Sequence, residues 1–395
     1  MDYLGDLNLK LQTLVIFRGL MEDKVLCKLH PLLSQSGKNM AEKLNDYTGF
    51  VSSLFEEDIS LTNYIWNQIS SDQNIYVFKA AGNEPVDPVL EECLTSELKI
   101  LEEISLLSAR EVKSAIGYEG YLPEWKTRQA NFVKDYKYMI SHISTLGYGD
   151  FSKYRMFTLK NTRIVPVHFP DKIRLSDLKE YERERNLVIN NTKALLSGKP
   201  ASNVLLYGDA GTGKSSTVKA IVNEFAGSGL RLVEIRKNQM LEIPAVIESL
   251  SQSPMKFILF VDDLSFAGNN EEIGVLKAIL EGTVSARAAN IVIYATSNRR
   301  HLINEKFSDR ENDEIHRNET IQEQVSLSDR FGLSVNFSRP NREQYLAIIF
   351  ALVKQYDIRN VNELELLAER YAIERGGRSP RVARQFVEQL KSNED

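Results

Sequence analysis

The sequence of 395 residues is poor in the features that mark secreted, metal-binding and membrane proteins. It has only two cysteines, Cys27 and Cys93, which are too few for a disulfide framework or a zinc site. Its start has no basic segment before an apolar run, and no apolar stretch approaches the length that spans a bilayer. We therefore expect a cytoplasmic protein that does not contact membranes.

The sequence also lacks a strong excess of either charge. Lysine and arginine total 49 against 54 acidic residues, so the formal net charge of −5 gives no general attraction to nucleic acid. A local basic patch is still compatible with this total. A hydrophobic share of 43% with 26% charged residues is typical of a folded globular protein. At this length we expect two or three domains, because single hydrophobic cores seldom grow so large.

The first part of the chain predicts a helical domain. Residues 1–149 have mainly helical periodicity, which identifies buried faces but not the role of the domain. Pro88 and Pro123 each predict the first turn of a helix. The cluster Gly147–Asp150 then breaks the pattern, and Phe151–Pro170 is interpreted as a connector.

After this connector, short apolar runs alternate with helical stretches, which is typical of a parallel sheet with helices on both faces. Residues 150–340 therefore predict an α/β core, and residues 341–395, which are helical again, predict a C-terminal lid. The core has five predicted strands, at Val204–Tyr207, Leu230–Ile235, Phe257–Val261, Ile291–Ala295 and Leu333–Phe337.

The first of these strands leads directly into a complete phosphate-loop pattern, in which two glycines enclose four residues before Lys and Ser. A helical stretch follows, so the loop has the setting that phosphate binding needs. Backbone N–H groups and the helix N-terminus would surround the phosphates, Lys214 would reach the β- and γ-phosphates, and Ser215 would ligate Mg²⁺. The predicted nucleotide-binding residues are Gly208, Asp209, Ala210, Gly211, Thr212, Gly213, Lys214, Ser215 and Ser216.

Two acids, Asp262 and Asp263, directly follow the third predicted strand. A carboxylate at the end of a neighbouring strand can hold Mg²⁺ through water, and we assign this role to Asp262. Asp263 would orient or deprotonate the attacking water. The structural alternative for the pair is a helix N-cap after a buried strand.

Three further residues complete the predicted site. Asn298 follows the fourth strand, at the edge where open α/β sheets keep their ligands, although a turn-forming Asn is the ordinary alternative. Arg330 precedes the fifth strand and could neutralise transition-state charge, with a salt bridge to Asp329 as the alternative. Arg381 opposes the dipole of its own helix, which favours a phosphate partner, and Arg378 is the competing candidate.

These elements in this order resemble the AAA+ ATPases from about Arg163 to Leu390. The segments Asp262–Phe266, Ala295–Leu302 and Leu327–Gly332 are similar, more closely, to a bacterial ATP-binding family known only as a domain of unknown function. The resemblance implies ATP and Mg²⁺ as cofactors. It also implies a homo-oligomer whose subunits share nucleotide sites.

The resemblance further implies roles for single residues. Ile173–Tyr181 lies where AAA+ proteins contact adenine. Asn298 matches the first sensor, Arg330 the arginine finger and Arg381 the second sensor. Asp263 departs from the family pattern, because many AAA+ hydrolases have Glu at this position. Its shorter side chain predicts slow hydrolysis or an ATP-dependent switch.

The leading interpretation is an oligomeric ATPase that remodels or regulates a macromolecular partner. The loop Arg236–Leu241 lacks the aromatic-apolar-Gly pattern of peptide-threading AAA+ proteins, and its basic residues leave nucleic acid open as a partner. One alternative is an assembly switch or nucleic-acid loader with slow hydrolysis. Another is a P-loop kinase that closes over a small molecule with Arg310 and Arg317. GTP is disfavoured because the chain has no Asn-Lys-x-Asp element.

Overall fold

The computed structural model describes residues 3–264, 270–281, 288–298, 330–358 and 362–393, and all structural statements concern these residues. The chain divides into two compact units, Met1–Lys153 and Tyr154–Asp395. No helix in the described ranges is both long enough and apolar enough to cross a membrane.

The N-terminal unit is built from helices around one apolar core, as the sequence predicts. Leu7, Phe50, Leu98 and Tyr136 are among its fully buried side chains. Its helices, α1 to α10, are Tyr3–Gln12, Leu29–Leu33, Met40–Phe55, Leu61–Ser71, Ile75–Ala81, Pro88–Ser105, Ala109–Ile116, Phe132–Ser141, Ile143–Leu146 and Asp150–Lys153.

The two prolines that predict helix starts in this unit behave differently. Pro88 begins α6, as predicted. Pro123 does not begin a helix, and the next long helix, α8, begins only at Phe132. The intervening chain is extended beside another segment, since the Lys126 N–H donates to the Ile59 carbonyl at 2.9 Å. The prediction at Pro123 was wrong because this tertiary hydrogen bonding replaces the helical turn.

The described part of the second unit contains seven strands in one sheet. They are β1 to β7, at Met156–Lys160, Arg163–Pro166, Val204–Gly208, Leu230–Glu234, Lys256–Val261, Ile291–Ser297 and Leu333–Phe337. Their spatial order is β2-β1-β4-β5-β6-β3-β7. β1 and β2 are antiparallel, whereas all other neighbouring strands are parallel.

The five predicted parallel strands are present as β3 to β7, but the predicted strand number was too low. Phe151–Pro170, interpreted as a connector, contributes β1 and β2 and extends the sheet beyond β4. Asn161 and Thr162 join these strands with φ angles of 48° and 64°, as the tightest hairpin turns require. The hairpin was missed because its turn is Asn-Thr rather than the more common Asn-Gly.

Helices cover this sheet and form a lid after it. α11 to α14 are Glu182–Leu196, Lys214–Phe225, Ile243–Ser251 and Asn270–Glu281, and the lid helices α15 to α17 are Arg342–Gln355, Leu364–Glu374 and Pro380–Ser392. α11 and α12 pack on one face of the sheet, where Ile221 lies with Leu206 and Phe260. The lid has its own core around Tyr345 and Ile349. The predicted α/β class, with a mostly parallel sheet and a C-terminal helical lid, is therefore confirmed.

The sheet gathers the residues that follow its strands. β3 and β6 are parallel neighbours, with Tyr207 opposite Ser297, and β5 and β6 are parallel neighbours, with Val261 opposite Ala295. The carboxyl ends of these three strands therefore lie side by side, where α/β sheets commonly bind ligands.

Candidate functional site

The loop between β3 and α12, Gly208–Ser215, requires glycine where it leaves the sheet. Gly208 has a φ of 129°, and a Cβ atom there would lie 2.3 Å from the Phe337 carbonyl oxygen of β7. Gly213 has a φ of 95° and directly precedes α12. Both angles favour glycine over residues with side chains. We call Gly208–Ser215 the phosphate loop.

Gly208→Ala is expected to destabilise this unit by about 3 kcal/mol, from overpacking and backbone strain together. The oxygen that the new methyl group would meet also accepts the Asp209 N–H at 3.2 Å, so it cannot move away freely. Gly227→Ala is the matched control, because a Cβ atom at Gly227 meets no atom within 4 Å. Urea unfolding measures both variants, and equal stabilities would contradict the close approach at Gly208.

Lys214 is the first residue of α12 and is only 6% exposed. Its ammonium donates to the carbonyl oxygens of Gly208 and Asp209, at 2.8 and 2.6 Å, and to Oδ1 of Asn298 at 3.1 Å. Burial lowers the pKa of Lys214, although the carboxylates of Asp209 and Asp262 oppose this shift. The ammonium therefore lies between the phosphate loop and the end of β6.

Asp262 directly follows β5 and accepts three hydrogen bonds on one oxygen. Its Oδ1 accepts the Ser215 hydroxyl at 2.6 Å, the Thr296 hydroxyl at 2.5 Å and the Asp263 backbone N–H at 3.1 Å. The Ser215 and Asp262 oxygens are the hard ligands that Mg²⁺ prefers. Among the described residues, no group of three or more His, Cys, Asp or Glu side chains is arranged to hold a metal ion by itself. This donor set fits a Mg²⁺ ion that keeps several waters and also binds phosphate oxygens.

Asp263 adopts a left-handed backbone conformation, with a φ of 53°. Its N–H donates to Thr296 Oγ1 at 2.8 Å. Its carboxylate, 61% exposed, accepts the Asn298 amide at 3.0 Å and lies 3.4 Å from the Lys237 ammonium. The structure therefore brings Asp263 and Asn298 together, and adds Lys237, for which sequence reasoning assigned no role at this acid.

The lid reaches the phosphate loop through the N-terminus of α17. The Arg381 backbone N–H donates to the Gly211 carbonyl at 3.2 Å. The side chains of Arg381 and Arg384 line the same cleft as the loop. Arg378 instead donates to both carboxylate oxygens of Glu369 within the lid, with Nη2 to Oε2 at 2.6 Å. Of the two arginines predicted as candidates for a phosphate contact, Arg381 thus lies at the cleft, whereas Arg378 is paired with Glu369.

A second link between the loop and the lid runs through Arg339, which follows β7. Its backbone N–H and its Nε donate to the two carboxylate oxygens of Asp209, each at 3.1 Å. Its Nη1 donates to the Gly376 carbonyl at 3.3 Å. Sequence reasoning missed this link, because 130 residues separate the partners and neither belongs to a motif that pairs them.

The cleft beside the phosphate loop has a volume of about 570 Å³, within the usual range for small-molecule sites. The segment Ile173–Tyr181, expected at adenine, contributes several side chains to its wall. Tyr181 stacks on Phe337 with ring centroids 5.5 Å apart, and Ile348 and Leu352 of the lid line the same cleft. This wall could hold a purine base by apolar and stacking contacts.

Arg330, the predicted arginine finger, contacts an acid at the end of α14. Its Nε donates to Glu281 at the end of α14, and it is not among the described residues that line the cleft. Asp329, the partner that the sequence offers, lies outside the described residues. Arg310 and Arg317 lie outside them as well.

Most predicted site residues meet at this one cleft, and those on its wall are Ala210, Gly211, Thr212, Gly213, Lys214, Ser215, Ser216, Asp262, Asp263, Asn298 and Arg381. Gly208 and Asp209 contact the Lys214 ammonium through their carbonyl oxygens. Thr296, which lies in β6, was missed, although it precedes Asn298 by two residues, the spacing at which side chains of an extended chain share a face.

Comparison with solved structures finds the Holliday junction branch migration motor RuvB of Thermotoga maritima. It is 17% identical to this chain with a TM-score of 0.38, and the match covers 56% of this chain and 64% of that chain, less than two thirds of its length. Two variants of the same motor match at 16% identity and the same TM-score, with 66% and 65% of their lengths covered. No curated protein matches the chain.

The model of one protein family matches residues 151–394, more than half of the chain. The match includes the whole sheet, the phosphate loop and almost all of the lid. It confirms the resemblance to a family known only as a domain of unknown function. This chain belongs to the family described as "Protein of unknown function (DUF815)".

Proposed function

We propose that this protein is a Mg²⁺-dependent ATPase of the AAA+ type that remodels or regulates a macromolecular partner. The proposal rests on one observation above all. The Lys214 ammonium, the Ser215 hydroxyl and the Asp262 carboxylate meet at the carboxyl edge of the sheet, inside a cleft of nucleotide size. Phosphoryl transfer needs these three groups, because it depends on positioning and on charge stabilisation.

Each residue acts by position or by charge. The Lys214 ammonium offsets negative charge on the β- and γ-phosphates, and the N–H groups of the phosphate loop donate hydrogen bonds to them. Ser215 and Asp262 would hold Mg²⁺, which would supply positive charge at the phosphate oxygens. Asp263 orients the attacking water, and the Asn298 amide fixes the Asp263 carboxylate through its 3.0 Å hydrogen bond.

We further propose that the active form is a homo-oligomer in which Arg330 completes the site of a neighbouring subunit. Arg330 is not among the described residues on its own cleft wall. The side chains of Arg330 and Glu281 are 28% and 41% exposed, and pairs at the surface contribute only roughly 0–1 kcal/mol. Breaking the pair with Glu281 would therefore cost little.

The direct test is phosphate release from ATP by the full-length protein, with and without Mg²⁺. We expect turnover that requires Mg²⁺ and needs no acceptor molecule. GTP serves as the matched substrate and should be hydrolysed more slowly. A protein that neither binds ATP nor releases phosphate would contradict the proposed function, and phosphate transfer only to an added acceptor would favour the kinase alternative.

An ATP-dependent assembly switch with slow hydrolysis is the second candidate, and the surroundings of Asp263 support it. One carboxylate oxygen of Asp263 accepts from Asn298 and the other faces Lys237, so the acid has partners that compete with water. Light scattering of an Asp263→Ala variant separates the two functions. If this variant still binds ATP and assembles with ATP as the wild type does, the switch is favoured, whereas assembly that is lost although ATP still binds favours the hydrolysis-driven ATPase.

Arg381→Ala is expected to weaken ATP binding about 10- to 100-fold, the usual effect of losing a charge-assisted hydrogen bond. Arg378→Ala is the matched control: it breaks the Glu369 pair within the lid, so it should lower stability while ATP affinity stays nearly unchanged. Isothermal titration with ATP and thermal unfolding measure both effects. The opposite pattern would assign the nucleotide contact to Arg378.

A further inference from the structure

One hydroxyl group contacts both acids of the candidate site. Thr296 lies near the end of β6 and is 2% exposed. Its Oγ1 donates to Asp262 Oδ1 at 2.5 Å and accepts the Asp263 backbone N–H at 2.8 Å. A threonine hydroxyl has one proton and two lone pairs, so this single group can make both hydrogen bonds at once.

We infer that Thr296 is a positioning residue for ATP hydrolysis. It orients the Asp262 carboxylate toward Ser215, and it holds the backbone turn that places Asp263 beside Asn298. The inference rests on the proposed ATPase function. It adds Thr296 to the proposed site as a residue that affects hydrolysis by positioning Asp262 and Asp263.

The turn at Asp263 shows why such a residue is needed. Its φ of 53° lies in the left-handed region, which residues other than glycine seldom adopt. Two oxygens of Thr296 hold this turn, since Oγ1 accepts the Asp263 N–H and the carbonyl accepts the Leu264 N–H at 2.6 Å. Removing the hydroxyl leaves the Leu264 bond intact, and the Asp263 N–H then keeps its longer bond to Asp262 Oδ1 at 3.1 Å, so the peptide group that aims the Asp263 carboxylate is held less firmly.

The same hydroxyl also affects the metal site. Without Thr296 Oγ1, Asp262 Oδ1 keeps the Ser215 hydroxyl and the Asp263 N–H as its donors. Ser215 is itself the proposed Mg²⁺ ligand, and the Asp263 N–H belongs to the turn that would loosen. Of the three donors to Asp262 Oδ1, Thr296 is therefore the one that is neither the proposed metal ligand nor part of the turn at Asp263.

Thr296→Val tests this inference, because valine keeps the shape of threonine and replaces the hydroxyl with a methyl group. We expect kcat for ATP to fall at least about tenfold, as when one positioning contact is lost. KM should change less than about threefold, because Lys214 and the apolar cleft wall are untouched. The gain in ATP affinity on adding Mg²⁺, measured with a fluorescent ATP analogue, should also shrink, within the same limit of about threefold.

Thr296→Ser keeps the hydroxyl and should retain kcat and the Mg²⁺ effect near the wild-type values. Thr192→Val is the matched control for losing a buried hydroxyl in the same unit, since Thr192 is 0% exposed and bonds Val188 and Tyr294. It should change stability without a selective loss of kcat. If the valine variant does not fold, Thr296→Ala and Thr296→Ser give the same comparison, because both lack the methyl group.

The outcomes separate this inference from the proposed function. A wild-type protein that neither binds nor hydrolyses ATP would overturn the proposed function itself. A wild-type protein that hydrolyses ATP, with a Thr296→Val variant whose kcat and Mg²⁺ effect are unchanged, would overturn only the role of Thr296. Equal losses in the serine and valine variants would also overturn it, because they would show that packing alone matters.

Discussion

Lys214→Ala is expected to reduce ATP turnover on the order of 10³-fold or more, the scale seen when a preorganised charge-stabilising donor is lost. The Lys214 ammonium is buried between the carbonyl oxygens of Gly208 and Asp209 and the amide oxygen of Asn298. Alanine removes the charge that would meet the phosphates, and water cannot restore it at a fixed position. Phosphate release and ATP binding measure the effect.

The matched control for this variant is Lys219→Ala. Lys219 lies on the same helix, α12, and is not among the described residues that line the cleft. Its removal takes the same charge from the same helix and should leave turnover close to the wild-type rate. Wild-type turnover in the Lys214 variant would contradict the assignment of Gly208–Ser215 as a phosphate site.

Arg330→Ala is expected to lower turnover on the order of 10³-fold while ATP affinity changes less than about threefold, as for arginines supplied to another subunit's phosphates. Glu281→Ala is the control, because it removes the Glu281 carboxylate with which Arg330 pairs in its own chain. If Arg330 acted only through that pair, the two variants would lose turnover equally. Steady-state phosphate release at saturating ATP measures both.

Mixed oligomers test whether Arg330 acts between subunits. Lys214→Ala subunits keep an intact arginine, and Arg330→Ala subunits keep an intact phosphate loop. Each variant alone should be nearly inactive, whereas mixing them should recover part of the turnover. An absence of recovery in oligomers shown to contain both variants would remove the shared site from the proposal.

Local spacing made the core of the candidate site predictable. Lys214 and Ser215 belong to one continuous pattern, and Asp262 and Asn298 each directly follow a strand that its apolar residues reveal. Parallel pairing then places the ends of such strands together. For these residues, a short stretch of sequence already implies the position that the structure describes.

Contacts between distant segments were not predictable in this way. The ion pairs Asp209–Arg339 and Lys237–Asp263 each join two segments that are distant in sequence. Neither local sequence predicts its partner, because strand register and loop direction decide which side chains meet. The helix predicted at Pro123 is absent for the same reason. The Lys126 backbone bonds to Ile59 and Leu61 instead of to a helical turn. Local propensity is a weak guide wherever tertiary contacts compete for the same groups.

The two links between phosphate loop and lid have a thermodynamic consequence. Gly211 bonds Arg381, and Asp209 bonds Arg339, so a lid that changes its angle must disturb peptide groups and side chains of the loop itself. Linkage between two such sites is reciprocal: if ATP favours one lid position by some factor, a partner that grips that position raises the affinity for ATP by the same factor. Under the proposed function, a protein bound to the outside of the lid would therefore change nucleotide occupancy without entering the cleft.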